Sequence, residues 1–518
     1  MTTQSEAVDA YAETARYHRP WYWYDWANSA FVTTVGTVLF GPYLTSVAKE
    51  AACPGIAEGE VCRTDLHVVP AAAGLPGWVA TLAFVVTIGL LVLLVGSAVA
   101  FARGARLPVR PSALVPPLAV AALALVLTAP LSPGSVASYT VTLSTIASAV
   151  LLIAVGAISD RSRRPARLLG LFAWVGSAAA CGLFFLAGTN WRFGASMMII
   201  ASISLGASLV VYDSILCRIA RPDDRDKVSS RGWALGYLGG GLLLAANLAI
   251  VVQPDLVGGT AMAVRISMLS AGLWWAVFTL IPVIGLWSLR GTAREDLDAP
   301  RAGVVRGSLA QLGHTFRDLR SYPNTMLFLL AYLFFNDGIQ TVISSSSIYG
   351  AEQLGFESSQ LITLILLVQF VAFGGALLFG AFAARWGAWR TILRSLVAWA
   401  AIVVAAFFLP AKAFVPFVVL GVLIGIVLGG SQALSRSLFS QLVPRSREAE
   451  FFALYQAMER GTSWLGAFLF GLVHQLTDSY RPAIVALIVF FGLGYLVLRR
   501  VDVRAGIIDA GNELPRVV

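Results

Sequence analysis

Residues 156–165 read Gly156-Ala157-Ile158-Ser159-Asp160-Arg161-Ser162-Arg163-Arg164-Pro165. An apolar run over 136–159 precedes this stretch, and another over 167–188 follows it. A helix needs about 20 apolar residues to cross the hydrocarbon of a bilayer. Both runs have that length. The stretch therefore reads as a short charged loop joining two membrane helices, with its arginines marking one face of the membrane.

The same alternation repeats outward in both directions. Apolar runs fall at 24–48, 78–102, 112–131, 136–159, 167–188, 195–217, 232–253, 266–289, 325–346, 360–383, 392–411, 414–438, 453–475 and 482–498, fourteen in all. Of 518 residues, 58% are hydrophobic and 13% charged, against about 25% charged in a soluble domain. Mean hydropathy is +0.77. A water-soluble enzyme and a disordered chain are both excluded. The expected fold class is an all-α polytopic membrane protein.

The basic residues test this list. With a cytoplasmic N-terminus, six of the 37 fall on the outer side: Lys49, Arg63, Arg192, Arg265, Lys412 and Arg481. Nearly all the others fall within 103–110, 161–167, 218–231, 290–320, 385–394, 445–447 and 499–504. The positive-inside rule then puts both termini in the cytoplasm and requires an even number of spans. The formal charge of +9 is thus a topology signal, and no nucleic-acid partner is expected. The excess of 34 Arg over 3 Lys suggests a GC-rich genome and a bacterial inner or plasma membrane.

The expected organisation has five parts. Residues 1–23 form a cytoplasmic tail, and 24–290 an N-terminal helix bundle with an inserted hairpin, 78–131. A cytoplasmic linker covers 291–324, a C-terminal bundle 325–500 and a second tail 501–518. In the linker, Leu309, Leu312, Phe316 and Leu319 recur at helical spacing, which suggests an amphipathic helix on the inner membrane surface.

The two bundles repeat. Asp25 and Asn28 in the first span match Asp337 and Gln340 in the first span after the linker. Gly206-Ala207-Ser208 through Asp213-Ser214-Ile215 matches Gly429-Gly430-Ser431 through Arg436-Ser437-Leu438, so Asp213 stands opposite Arg436. Gly156 through Arg161 matches Gly380 through Arg385. With the hairpin set aside the pattern is 6+6. Both units start on the same side, which makes them parallel repeats.

These residues resemble a known superfamily. Gly156, Asp160, Arg161 and Arg164 are similar to the loop signature of the major facilitator superfamily, although Arg163 stands where a glycine is usual. The second copy keeps Gly380 and Arg385 but has Ala384 in the acidic place. Within the superfamily the chain resembles the vacuole effluxer-like family. That likeness rests on Tyr24 to Phe31, Phe335 to Gly338, Ala234 to Gly240, Gln432 to Leu438 and Arg447 to Phe452. The resemblance implies a major facilitator fold of two six-helix bundles, here with the extra hairpin and 14 transmembrane helices. It also implies that Gly156, Asp160, Arg161 and Arg164 gate the inner ends of the helices.

Ionisable groups at bilayer depth are costly, so they usually have a partner or a task. Asp25, Asp213, Asp337, Arg436, Glu459 and Arg460 stand at such depth. In the implied fold Asp25 and Asp337 lie on cavity-lining helices. Asn28 and Gln340 follow three residues on, on the same face. Each pair is suited to orient a polar substrate or to exchange a proton, while Asp25 alone also reads as a helix-end cap. Asp213 and Arg436 either pair across the cavity, serve separate gates or anchor at the interface. Glu459 and Arg460 point in different directions, one of them towards Arg436. Gly232, Gly236 and Gly240 read as a close-packing stripe, and Trp21 to Trp26 as an aromatic belt.

Cys53 and Cys62 share an outer loop where a disulfide would persist; bonded and free forms both stay open. The other two cysteines and the four histidines form no metal spacing, and neither a metal nor a cofactor is expected. No P-loop or nucleophile elbow is present, so the chain is not expected to be an enzyme. The expected function is secondary active transport by alternating access, as proton-coupled efflux of small organic solutes, amino acids among them, by a monomer in the lipid bilayer. Export of amphipathic drugs or lipids, and a transport-dead receptor or sensor, are the other readings.

Overall fold

The computed structural model describes residues 14–55, 62, 64–69, 76–102, 115–290, 321–445, 447–461, 463–477 and 479–518. The amphipathic stretch expected at 309–319 lies outside them. In chain order the helices are α1 (His18–Ala52), α2 (Gly77–Ala102), α3 (Val115–Thr128), α4 (Pro133–Asp160) and α5 (Pro165–Phe185). Then come α6 (Trp191–Ile219), α7 (Pro222–Val252), α8 (Thr260–Gly285), α9 (Pro323–Gln353), α10 (Gln360–Trp386) and α11 (Ala388–Phe407). The last are α12 (Phe414–Leu442), α13 (Glu448–Gly461), α14 (Ser463–Thr477), α15 (Tyr480–Arg499) and α16 (Val503–Asp509).

Among the described residues, 11 of these helices are long and apolar enough to cross a membrane. The remaining expected spans, 78–102, 112–131 and 453–475, are helical over most of their described residues. The run 112–131 is described from Val115 onward, as α3, which ends at Thr128. The run 453–475 is described as α13 and α14, on either side of position 462. The first span starts earlier than expected, at His18, and carries a π-helical stretch, Phe31–Leu39. A shorter one, Tyr349–Gln353, ends α9, the matching helix of the repeat.

Local sequence explains the joints. Proline stands at the first helical turn of α5, α7 and α9, where its missing N–H costs nothing. Gly387, between α10 and α11, has φ +81, a left-handed value that other residues adopt only at a cost. Leu273, Val277, Ile284, Val397, Val404 and Leu496 are exposed, as suits side chains that face lipid.

The chain forms two compact units. One comprises residues 40–141 and 185–196. In it Cys53 and Cys62 are joined by a disulfide, and α2 packs on α3. Leu66 and Leu131 exchange backbone hydrogen bonds of 2.8 Å each. Arg192 donates through Nη2 to the His67 carbonyl at 2.6 Å.

The other unit comprises 1–39, 142–184 and 197–518 and contains most of both repeats. In the first, α7 packs on α1 and α8 on α5; in the second, α9 packs on α15 and α12 on α10 and α11. The repeats meet along α7–α10 and α7–α12, and where α4 meets the start of α13. Gly156 makes that last approach possible: a Cβ there would stand 2.7 Å from the Ala449 carbonyl oxygen and 2.9 Å from Ala453 Cβ. Its repeat counterpart, Gly380, sits against the start of α7, where a Cβ would be 2.8 Å from Ser230 Cβ. The pairs α4–α13 and α7–α10 are therefore related by the repeat. After α15 the chain turns back, and α16 packs on α9 and α12.

Candidate functional site

The residues of interest gather where the two repeats meet, near the end of the bundle that carries the basic loops. Arg436 lies six residues before the end of α12, and its side chain is buried. Its Nη2 donates to Asp25 Oδ2 at 2.9 Å, and its Nη1 to Asp25 Oδ1 and Asp213 Oδ1 at 3.3 Å each. Asp25 comes from α1 and Asp213 from α6, so one guanidinium ties two helices of the first repeat to the second. Asp25 Oδ2 also accepts from the Tyr212 hydroxyl at 2.8 Å. Gln456 of α13 donates to Asp213 Oδ2 at 2.9 Å.

Glycine on α7 makes room for this cluster. A Cβ on Gly232 would stand 2.5 Å from Asp25 Oδ2 and 3.1 Å from Arg436 Nη2. One turn on, a Cβ at Gly236 would lie 2.7 Å from Ser29 Oγ. The stripe read from sequence as close packing thus lets α7 approach α1 at the ion cluster.

Further bonds join the repeats at the same end. Arg225 Nη1 donates to the Ser440 carbonyl at 2.6 Å, and Ser229 Oγ to the Ala433 carbonyl at 2.7 Å. Gln441 Nε2 donates to the Pro222 carbonyl at 2.8 Å. Ser437 Oγ donates to Asp226 Oδ1. Deeper in the bundle, the Tyr237 hydroxyl donates to Gln432 Oε1 at 2.8 Å, and Gln369 Nε2 to Thr33 Oγ1 at 2.9 Å.

The loop that opened the sequence analysis forms a second clamp. Asp160 accepts the backbone N–H groups of Ala449 and Glu450, each at 2.9 Å. These are first-turn donors of α13 that have no carbonyl within their own helix, and a carboxylate there also meets the positive end of the helix dipole. The nearby cation is Arg218, 4.0 Å from Asp160 and 3.9 Å from Glu448. Arg161 and Arg164 are exposed, and the structure does not bring their side chains to Asp160.

Asp337 is fully buried in the contact between α9 and α14. Its Oδ2 accepts the Gly466 backbone N–H at 2.7 Å, and its Oδ1 has no partner. A Cβ on Gly466 would stand 2.1 Å from Thr341 Oγ1, so glycine lets the helices close over the carboxylate. Sequence reading expects Asp337 to line a cavity; in this structure its carboxylate is buried in the contact between α9 and α14. Among the described residues Asp337 makes no ion pair.

The remaining candidates are placed separately. Asn28 Nδ2 donates back to the Tyr24 carbonyl of its own helix at 2.6 Å. Gln340 is half-buried. Glu459 Oε2 accepts from the Tyr332 hydroxyl at 3.2 Å. Arg460 Nε is buried without a partner and lies beside Gly206. Glu459 forms no ion pair with Arg436 among the described residues.

Sequence reasoning did not single out Ser229, Tyr212, Trp233, Arg218 or Gln456. A buried serine or tyrosine on a helix carries no distinguishing signal. Trp21 was read with the aromatic belt, whereas its ring stacks on Tyr212 at 4.3 Å, inside the cluster.

Residues 13–511 match the vacuole effluxer Atg22-like family. The uncharacterized MFS-type transporter YxiO of Bacillus subtilis (strain 168) is 29% identical over 382 residues, which is 73% of this chain and 87% of that protein. Autophagy-related protein 22 of Saccharomyces cerevisiae (strain ATCC 204508 / S288c) is 26% identical over 431 residues, 74% of this chain and 81% of its own. The crystal structure of the human organic anion transporter MFSD10 superposes with a TM-score of 0.55 at 12% identity, covering 94% of this chain and 99% of that one. These likenesses and the paired six-helix repeats agree on the major facilitator fold of a multi-pass membrane transporter. The chain belongs to the vacuole effluxer Atg22-like family.

Proposed function

We propose that the protein is a proton-coupled exporter of small organic solutes, amino acids among them, that works by alternating access in a cell membrane. The basic end of the bundle faces the cytoplasm in this reading, with both chain termini on that side. One observation carries it: Arg436 bridges Asp25 and Asp213 across the two repeats. A charged bond between halves that part and rejoin is a natural two-state element. The other cross-repeat bonds at the same end support a closed cytoplasmic gate. Proton coupling is assigned to Asp337, a membrane-depth carboxylate with no ion partner among the described residues. Such a group is suited to take up and release a proton as hydration changes between states.

The test is uptake by proteoliposomes under an imposed pH gradient, with a panel of amino acids. The wild-type protein is expected to accumulate at least one of them only when the gradient is present. Asp337→Asn is expected to keep solute exchange while losing gradient-driven accumulation by about tenfold or more, the size of a typical coupling free energy. Normal gradient-driven uptake by that variant would remove Asp337 as the coupling group. Failure of the whole panel would remove amino acids as substrates.

A further inference from the structure

Arg436 is held as a bound ligand would be held. A guanidinium has five N–H donors, and all five are used. Nε donates to Ser229 Oγ at 3.0 Å, Nη1 to Asp25 Oδ1 and Asp213 Oδ1 at 3.3 Å, and Nη2 to Asp25 Oδ2 at 2.9 Å and the Ser229 carbonyl at 3.1 Å. Three rings face the cation, with centroids 4.8 Å (Trp21), 5.4 Å (Tyr212) and 5.4 Å (Trp233) from Cζ. Every one of these partners belongs to the first repeat. Only the guanidinium comes from the second.

Asp25 is braced from within its own repeat, while Asp213 and Ser229 also bond Gln456 and the Ala433 carbonyl of the second. The Tyr212 hydroxyl holds Asp25, and Trp21 Nε1 donates to the Tyr212 carbonyl at 2.9 Å. Two carboxylates share this one guanidinium. When alternating access draws α12 away, the two carboxylates lose their only guanidinium. Two carboxylates left facing an opened cleft with low-dielectric walls focus a negative potential there, which attracts another cation. The pocket's five acceptors, one for each guanidinium N–H, and its flat aromatic walls suit a guanidinium better than a compact, strongly hydrated ammonium.

We infer that the first repeat carries a receptor for the guanidinium group of a small organic cation. Arg436 fills it when the basic end is closed, and the solute fills it when that end is open. Solute and Arg436 compete for one site, so binding favours the open state by the difference in affinity. The inference rests on the transport reading above and names the head group of its substrate.

The experiment uses the full chain in detergent with Cys181→Ser, which leaves Cys217 as the reporter thiol. Its Sγ lies 3.7 Å from the Ser440 carbonyl, on the seam between the repeats. The probe is millimolar methylguanidinium, with potassium chloride at matched ionic strength as control. Methylguanidinium, and not the salt, is expected to speed alkylation of Cys217 by about fivefold or more. An unchanged rate overturns the inference. A second arm uses Arg436→Ala, in which the pocket is vacant. Saturable binding of labelled methylguanidinium is expected, weakened about tenfold by adding Asp25→Asn, as for one lost charge-assisted bond. A folded Arg436→Ala protein that binds none overturns the inference; if it does not fold, the alkylation arm decides. Both arms read binding alone, so a protein that binds the probe yet transports nothing would refute the transport reading and leave the receptor standing.

Discussion

At the scale of the residue, the main question is what Arg436 contributes. Its burial removes a charge from water, and the two aspartates repay that only because the geometry is complete. Removing one partner of a buried ion group costs about 3–5 kcal/mol, since the others are left charged and unpaired. Arg436→Met is therefore expected to lower the thermal unfolding midpoint in detergent by many degrees. Adding Asp25→Asn and Asp213→Asn to it should recover much of that loss, because no uncompensated charge remains. If the triple variant is no more stable than the single one, the cluster is not held by charge. The repeat alignment set Asp213 opposite Arg436 from sequence alone, because matched helices carry opposite charges there. Asp25 was aligned with Asp337, and sequence gave no sign that the two would find different partners. One meets a guanidinium across the seam, the other the backbone N–H of a glycine.

At the scale of the element, α7 shows how glycine placement decides a helix contact. A Cβ on Gly239 would stand 2.8 Å from the Trp26 carbonyl oxygen and 2.9 Å from the Trp26 ring, whereas Gly374 of α10 has nothing within 4 Å. Overpacking costs about 1–3 kcal/mol, while alanine in an open helical position gains up to about 1 kcal/mol over glycine. Gly239→Ala should therefore lower the unfolding midpoint and Gly374→Ala should hold or raise it. Equal effects would mean that α7 and α1 are not in the close contact described. The four-residue spacing of Gly232, Gly236 and Gly240 made this stripe legible. The C-terminal end of α3 was less so. Hydropathy carried the expected span to 131, but the helix ends at Thr128, just before Ala129 and Pro130. The residue before a proline disfavours helical geometry, a local rule that an apolar count does not register.

At the scale of the whole molecule, the repeat is symmetric in shape and asymmetric in chemistry. Gly156 and Gly380 both let one repeat touch the start of a helix in the other, against α13 and α7 respectively. Only the first contact carries a carboxylate, because Asp160 binds the α13 N-terminus while its counterpart is Ala384. The α7 side depends on close packing and on hydrogen bonds from Arg225, Ser229 and Ser437. If transport requires that side to part, a covalent tie there should stop it. Ser230→Cys with Gly380→Cys supplies the tie. The Cβ positions, 2.8 Å apart, fall short of the roughly 3.5–4.5 Å of a relaxed disulfide, so the helices need to ease apart by about 1 Å. Oxidised, the pair is expected to abolish solute flux in proteoliposomes, and dithiothreitol should restore it. Ser230→Cys alone, carried through the same oxidation and reduction, controls for the native Cys53–Cys62 bond. Flux that survives complete cross-linking would mean that the seam between α7 and α10 never opens, and that access to the basic end runs along α4 and α13, where Asp160 would be the gate that yields.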